Sequence, residues 1–147
     1  MNDGTAAILL MSESKALELG YEPSFYWEDS VTVGVEPVDM GLAPIKAINT
    51  LKNRTGVKQS EIDLFEINEA FSTQMLAVID ELKLKQELVN VNGGTLAIGH
   101  PLGASGTRII VSLLNEMEHN TDVKRGCASL CIGGGMGIAA FVKKGTL

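Results

Sequence analysis

Two apolar runs near the carboxyl end, residues 126–132 and 136–142, are separated only by Gly133, Gly134 and Gly135. Runs of that length read as strands, and glycines between them accept the positive φ that a tight reversal needs. The pair predicts an antiparallel hairpin. Upstream the period changes repeatedly between strand and helix. Residues 6–11 form a continuous apolar run that reads as a buried strand, and 12–19 read as a short helix ending at Gly20. In 25–35 the odd positions Phe25, Trp27, Val31, Val33 and Val35 are apolar, which predicts a strand with one covered face.

Ile45, Ile48 and Leu51 line one side of the next helix, opposite Lys46, Asn49 and Lys52, and Gly56 ends it. A short strand at 63–67 runs into a helix with the stripe Phe71, Met75, Val78, Ile79 and Leu82. Residues 88–91 read as short and extended, and the glycine-dense segment 93–106 as a functional loop. The helix after it, 104–118, has too wide an apolar surface for one face to meet water, so burial is expected. Strands alternating with helices and closed by an antiparallel pair predict a layered α/β fold with a mixed sheet.

Composition narrows the partners. With 147 residues, 45% hydrophobic and 20% charged, the chain has the makings of one globular domain. Its net charge of -6, from 18 acids against 12 bases, opposes binding to nucleic acid or an anionic membrane. No apolar run approaches the roughly 20 residues a membrane helix needs, and the first residues lack the pattern of a signal peptide. A soluble, cytoplasmic protein with a small-molecule substrate or a protein partner is expected. Cys127 and Cys131 stand four apart on one face of a single strand, a poor disposition for a disulfide. With His100 and His119 they match no common zinc spacing, so no metal is expected.

Three positions invite chemistry, and each has a plain alternative. Asn68 stands where strand gives way to helix, at the carboxyl end of a strand, where ligand sites of α/β sheets lie; taken alone, a helix cap is the plainer and favoured explanation. His100 precedes a turn of small residues at a helix start, whose free amides favour a neutral imidazole able to donate to an oxyanion; the alternative is a surface histidine in a loop. Cys131 ends an apolar strand at the triple glycine. An ordinary thiol pKa of about 8.5 lets modest tuning make it a proton donor and acceptor, but free cysteines are often simply buried, as expected for Cys127. Neither glycine-rich stretch matches a phosphate-binding P-loop or a dinucleotide fingerprint.

In combination these segments are more specific. NEAF at 68–71, GHPLGASG at 99–106 and CIGGGMG at 131–137 occur in an order and approximate spacing that resembles the thiolase family, as do NDG at 2–4, VGVEPVDMG at 33–41 and NVNGG at 90–94. The resemblance spans essentially the whole chain. It implies a thiolase-like α/β/α half, with 1–20 belonging to the sheet of an N-terminal half and 21–147 forming the C-terminal domain. It also implies carbon–carbon bond formation or cleavage between acyl groups on coenzyme A, with the thioester as substrate and no resident cofactor. In that scheme His100 and a water held by Asn68 form one oxyanion hole, Cys131 is the acid/base, and the Gly133 amide contributes to a second oxyanion hole. Met40, Ala70 and Phe71 line the pantetheine and acyl pocket.

The nucleophilic cysteine of the family has no counterpart among these residues, since Cys127 lies on the strand leading to Cys131. The expectation is therefore the C-terminal part of an acetyl-CoA acetyltransferase, competent with a complementary N-terminal half, or a homo-oligomer. The competing class is a noncatalytic acyl-CoA- or lipid-binding module, or a structural partner on the same scaffold. A ketosynthase comes third, because that related family pairs two histidines where this chain has His100 and Cys131.

Overall fold

The computed structural model describes residues 2–145. Met1 and the last two residues of the expected 21–147 domain lie outside the described residues. Ser12 caps α1 (Glu13–Glu18) by accepting from the Lys15 amide. There follow β1 (Phe25–Gly34), a 3₁₀ turn at Pro37–Leu42, α2 (Ala43–Thr55), β2 (Leu64–Ile67) and α3 (Ser72–Glu81). A single turn of helix, α4 (Thr95–Ile98), interrupts the glycine-rich segment before α5 (Ser105–His119), β3 (Arg125–Ile132) and β4 (Met136–Lys144). Gly56, at φ 75°, ends α2 in the left-handed region that favours glycine.

The four strands form one sheet in the order β1-β4-β3-β2. β1 and β3 each pair antiparallel with β4, and β2 pairs parallel with β3, so the expected mixed sheet and C-terminal hairpin are present. Alternation along each strand divides the core. Phe65, Ile67, Cys127 and Phe141 face α2 and α3, packing with Ile48, Leu51, Met75 and Val78. Leu64, Ala128 and Val142 face the other way, onto Ile109, Leu113 and Met117 of α5. The result is an α/β/α layering in which each fully buried leucine contributes roughly 2 kcal/mol by leaving water.

Four expectations need correction. Residues 6–11 form no strand; Leu9 and Leu10 are 79% and 69% exposed. An apolar run becomes a strand only where a sheet edge accepts its amides and carbonyls, and this segment pairs with neither edge. In β1 the odd positions do not share one face. A bulge between Trp27 and Asp29 inserts Glu28, so Phe25 packs toward α5 whereas Val31 and Val33 pack toward α2. Residues 88–91 are extended only at Val89, which makes one bridge to Phe65: Leu88 still belongs to a 3₁₀ turn at Gln86–Leu88, and Asn90 is left-handed. Finally, α5 is buried on one side only. Ile109, Leu113 and Met117 are covered, but Val111 and Leu114 remain half-exposed, because in this chain a sheet covers only one side of the helix. Among the described residues no helix is long and apolar enough to cross a membrane.

Candidate active site

Parallel pairing of β2 with β3 sets Ile67 opposite Ser129, and the Asn68 amide donates to the Ser129 carbonyl at 2.9 Å. Asn68 therefore leaves the sheet at the same end at which β3 delivers Cys131 and the glycine turn. It is not a helix cap. The cap position of α3 is Phe71, and the Asn68 side chain, 1% exposed, turns instead to Thr95, whose Oγ1 lies 2.7 Å from Asn68 Oδ1.

The segment that brings Thr95 there is held to the edge of β2. Asn90, in the left-handed region at φ 48°, accepts from the Ile67 amide at 2.8 Å and donates to the Ile67 carbonyl at 2.9 Å, extending the ladder with a side chain. Its Nδ2 also donates to Glu69 Oε1 at 3.0 Å. The other oxygen of Glu69 accepts from the Leu96 amide at 2.9 Å, which ties down the first turn of α4. Gly94 leaves room for this carboxylate: a Cβ on it would stand 2.5 Å from Glu69 Oε2 and would push the Glu69 side chain out of these hydrogen bonds. NEAF and NVNGG are thus two parts of one junction.

His100 follows α4 and precedes α5. Its Nδ1 lies 2.6 Å from Oγ of the fully buried Ser105, at the first turn of α5. Cys131 is half-buried at the end of β3, and burial pushes its thiol above the usual range, its own backbone amide acting in the opposite sense. Cys127, four residues earlier on the same strand, is fully buried in the core beneath α2, as expected of a structural cysteine, and burial raises its thiol further still. Gly133 is exposed in the three-residue turn between β3 and β4, with no atom within 4 Å of where a Cβ would be. Gly134 and Gly135 supply the positive φ of that turn, and Gly135 O accepts from the Val35 amide at 2.7 Å.

Gln74 links Ala70 to the 3₁₀ turn that carries Met40. Its Oε1 accepts from the Ala70 amide at 3.2 Å, and its side chain packs against Gly41, beside the half-buried Met40. Phe71 is 62% exposed. Among the described residues no hydrogen bond joins Asn68, His100 and Cys131 directly. Pairing of β2 with β3 brings Asn68 and Cys131 to one end of the sheet, while Thr95 ties the segment leading to His100 to Asn68 and Ser105 holds the imidazole. A separate cavity of about 450 Å³, lined by Leu10, Phe25, Ile110 and Leu114, contains none of them.

Several contributors escaped the sequence reading: Thr95, Ser105, Arg108, Asn90 and Glu66. Arg108 Nη2 donates to Thr95 Oγ1 at 3.3 Å. Behind it Glu66, 2% exposed, has its carboxyl raised from 4.5 to about 7 by burial, opposed by the Arg108 charge and reinforced by Glu69 and Glu116. A glutamate inside the four-residue run LFEI was the available signal, since an acid is rarely buried without a reason.

The profile described as "Thiolase, C-terminal domain" matches residues 21–144. The chain belongs to the thiolase family. Probable acetyl-CoA acyltransferases of Staphylococcus aureus strains MRSA252 and N315 are 51% identical to it over 144 residues, 98% of this chain. The match covers 36% of each relative, so the chain spans about a third of their length. The crystal structure of the Bacillus anthracis acetyl-CoA acetyltransferase superposes with a TM-score of 0.88 at 44% identity, covering 91% of this chain and 34% of that one. Acat5 thiolase from Ascaris suum, solved in complex with coenzyme A, gives 0.85 at 42% identity over 90% of this chain and 34% of its own. The segments 68–71 and 131–137 lie at the carboxyl ends of β2 and β3, and 99–106 follows the turn of helix that Thr95 ties to Asn68.

Proposed function

We propose that this chain is the C-terminal part of a thiolase that transfers acyl groups between coenzyme A thioesters, forming or cleaving acetoacetyl-CoA or another 3-ketoacyl-CoA. It supplies the proton-transfer and oxyanion-binding groups, and a complementary half supplies the nucleophile. The observation that supports this most directly is the buried Asn68 at the end of β2. Its Oδ1 is engaged by Thr95 while Nδ2 has no partner among the described residues, so the buried amide keeps a donor ready.

In condensation, Cys131 as thiolate removes a proton from the carbon next to the acetyl thioester carbonyl. Negative charge passes to the thioester oxygen, where Nε2 of His100 and a water held by Asn68 donate to it. The enolate carbon then forms the new bond to the acyl carbon carried on the nucleophile, and the Gly133 amide contributes to the second oxyanion hole around that carbonyl. The acyl–sulfur bond breaks, so that the nucleophilic cysteine of the complementary half leaves as a thiolate. In cleavage the bond breaks in the opposite sense, and Cys131 returns its proton to the departing carbon. Met40, Ala70 and Phe71 line the pantetheine and acyl pocket. Residues 1–20 belong with the complementary half, which is consistent with the unpaired course of residues 6–11.

The test is acetoacetyl-CoA cleavage by this chain alone, by an N-terminal thiolase half alone, and by the two combined. Cleavage only on mixing is the expected result. Turnover by this chain alone overturns the division of labour, and a folded, associated pair without turnover overturns the catalytic reading.

A further inference from the structure

An asparagine amide is nearly symmetric in shape, so which end faces a site is decided by its neighbours. Asn68 Oδ1 and Thr95 Oγ1 are 2.7 Å apart, and Arg108 Nη2 is 3.3 Å from the same hydroxyl oxygen. A guanidinium only donates, so the threonine oxygen must accept from Arg108. The nearby positive charge also turns the hydroxyl hydrogen away from the arginine. Thr95 is 7% exposed, and its hydroxyl has no other acceptor among the described residues. Leaving that hydrogen unpaired would carry the cost of a buried, unsatisfied donor. The arrangement that satisfies the Thr95 hydroxyl and Asn68 Oδ1 runs in one direction: Arg108 Nη2 donates to Thr95, Thr95 donates to Asn68 Oδ1, and Asn68 Nδ2 is left facing outward.

We infer that Thr95, backed by Arg108, is a positioning residue that sets the direction of the Asn68 amide, so that its N–H rather than its carbonyl is offered to the water at the thioester oxygen. The inference rests on the function proposed above for Asn68. A reversed amide would place an acceptor where charge develops and would repel rather than stabilise it. Backbone contacts already fix the Asn68 main chain: its amide donates to Ser129, and its carbonyl accepts from Ala70 at 3.2 Å. Only the side-chain torsion is left for Thr95 to decide.

The experiment uses the thiolase assembled from this chain and its complementary half. Thr95→Val keeps the shape and removes the donor; Thr95→Ser keeps the donor. The expected result for Thr95→Val is a fall in kcat of roughly ten- to a hundred-fold, less than or equal to the loss from removing one oxyanion donor outright, with KM changed less than about two-fold. Thr95→Ser should stay within about three-fold of the parent, which also guards against misfolding of the valine variant. In an Asn68→Ala background Thr95→Val should cost nothing more, because its effect passes through Asn68. A valine variant with the parent's kcat, or one whose loss persists undiminished in the Asn68→Ala background, overturns the inference. If Asn68→Ala itself retains full kcat, the functional reading of Asn68 has failed instead.

Discussion

Ser105 Oγ stands 2.6 Å from His100 Nδ1, while the Pro101 carbonyl, which the same hydroxyl approaches at 3.2 Å, already accepts from the amides of Ala104 at 2.8 Å and Ser105 at 2.9 Å. The shorter contact and the occupied carbonyl direct the hydroxyl hydrogen to the imidazole. Nδ1 is then the acceptor, and Nε2 carries the hydrogen that an oxyanion needs. Ser105→Ala should release this choice. In the assembled thiolase kcat should fall at least about ten-fold, and ¹⁵N NMR of His100 should move from the Nε2–H form toward a mixture of tautomers. Unchanged nitrogen shifts would remove Ser105 from the argument.

Glu66 makes stability depend on pH. Its carboxyl, ordinarily near 4.5, is held up to about 7 by burial in the folded chain. The folded state therefore keeps a proton that the unfolded state has lost, so stability is fully present below pH 4.5 and declines as pH rises toward about 7. Glu66→Gln, neutral throughout, should be more stable than the parent at pH 8, by at most about 3 kcal/mol. The difference should shrink to nothing near pH 4. Denaturation curves at the two pH values check this, and parallel behaviour of both proteins would show that Glu66 titrates normally.

The two thiols should separate in reactivity. Alkylation requires the thiolate, and burial raises both groups, Cys127 more than Cys131. Mass spectrometry of the native chain treated with iodoacetamide should find Cys131 modified and Cys127 untouched. The Cys131 rate should be slow at neutral pH and rise with a midpoint above the ordinary thiol value of about 8.5. Rapid native labelling of Cys127 would contradict its place in the core.

Glycines in the CIGGGMG segment should differ in tolerance. A Cβ at Gly137 would lie 2.7 Å from the Ala43 backbone carbonyl, where α2 begins against β4, and backbone cannot rotate aside. Gly137→Ala should cost about 2 kcal/mol or more. Gly133→Ala meets no atom within 4 Å and should change stability by less than about 0.5 kcal/mol. Urea midpoints for the two variants decide it; equal losses would mean that the turn, not the contact with α2, is limiting.

The sequence by itself determined the elements whose signals are local. The stripe Ile48 and Leu51, the stop at Gly56, the period along β3 and β4 and the triple-glycine reversal are all read from neighbours a few residues apart, and they reappear in place. The family was legible for the same reason, because its motifs are short and contiguous. Tertiary structure alone decided the rest, where one residue's fate depends on a distant one. Residues 6–11 had a strand's composition but no edge to pair with, and the bulge at Glu28 divided a pattern that looked one-faced. Asn68 had a cap's position, yet its side chain was claimed by Thr95, 27 residues away and held there by Asn90 and Glu69. Local periodicity encodes which backbone shape is cheapest. It carries no information on which remote donor will meet a buried acceptor, and that pairing is settled only when the layers close and water is removed.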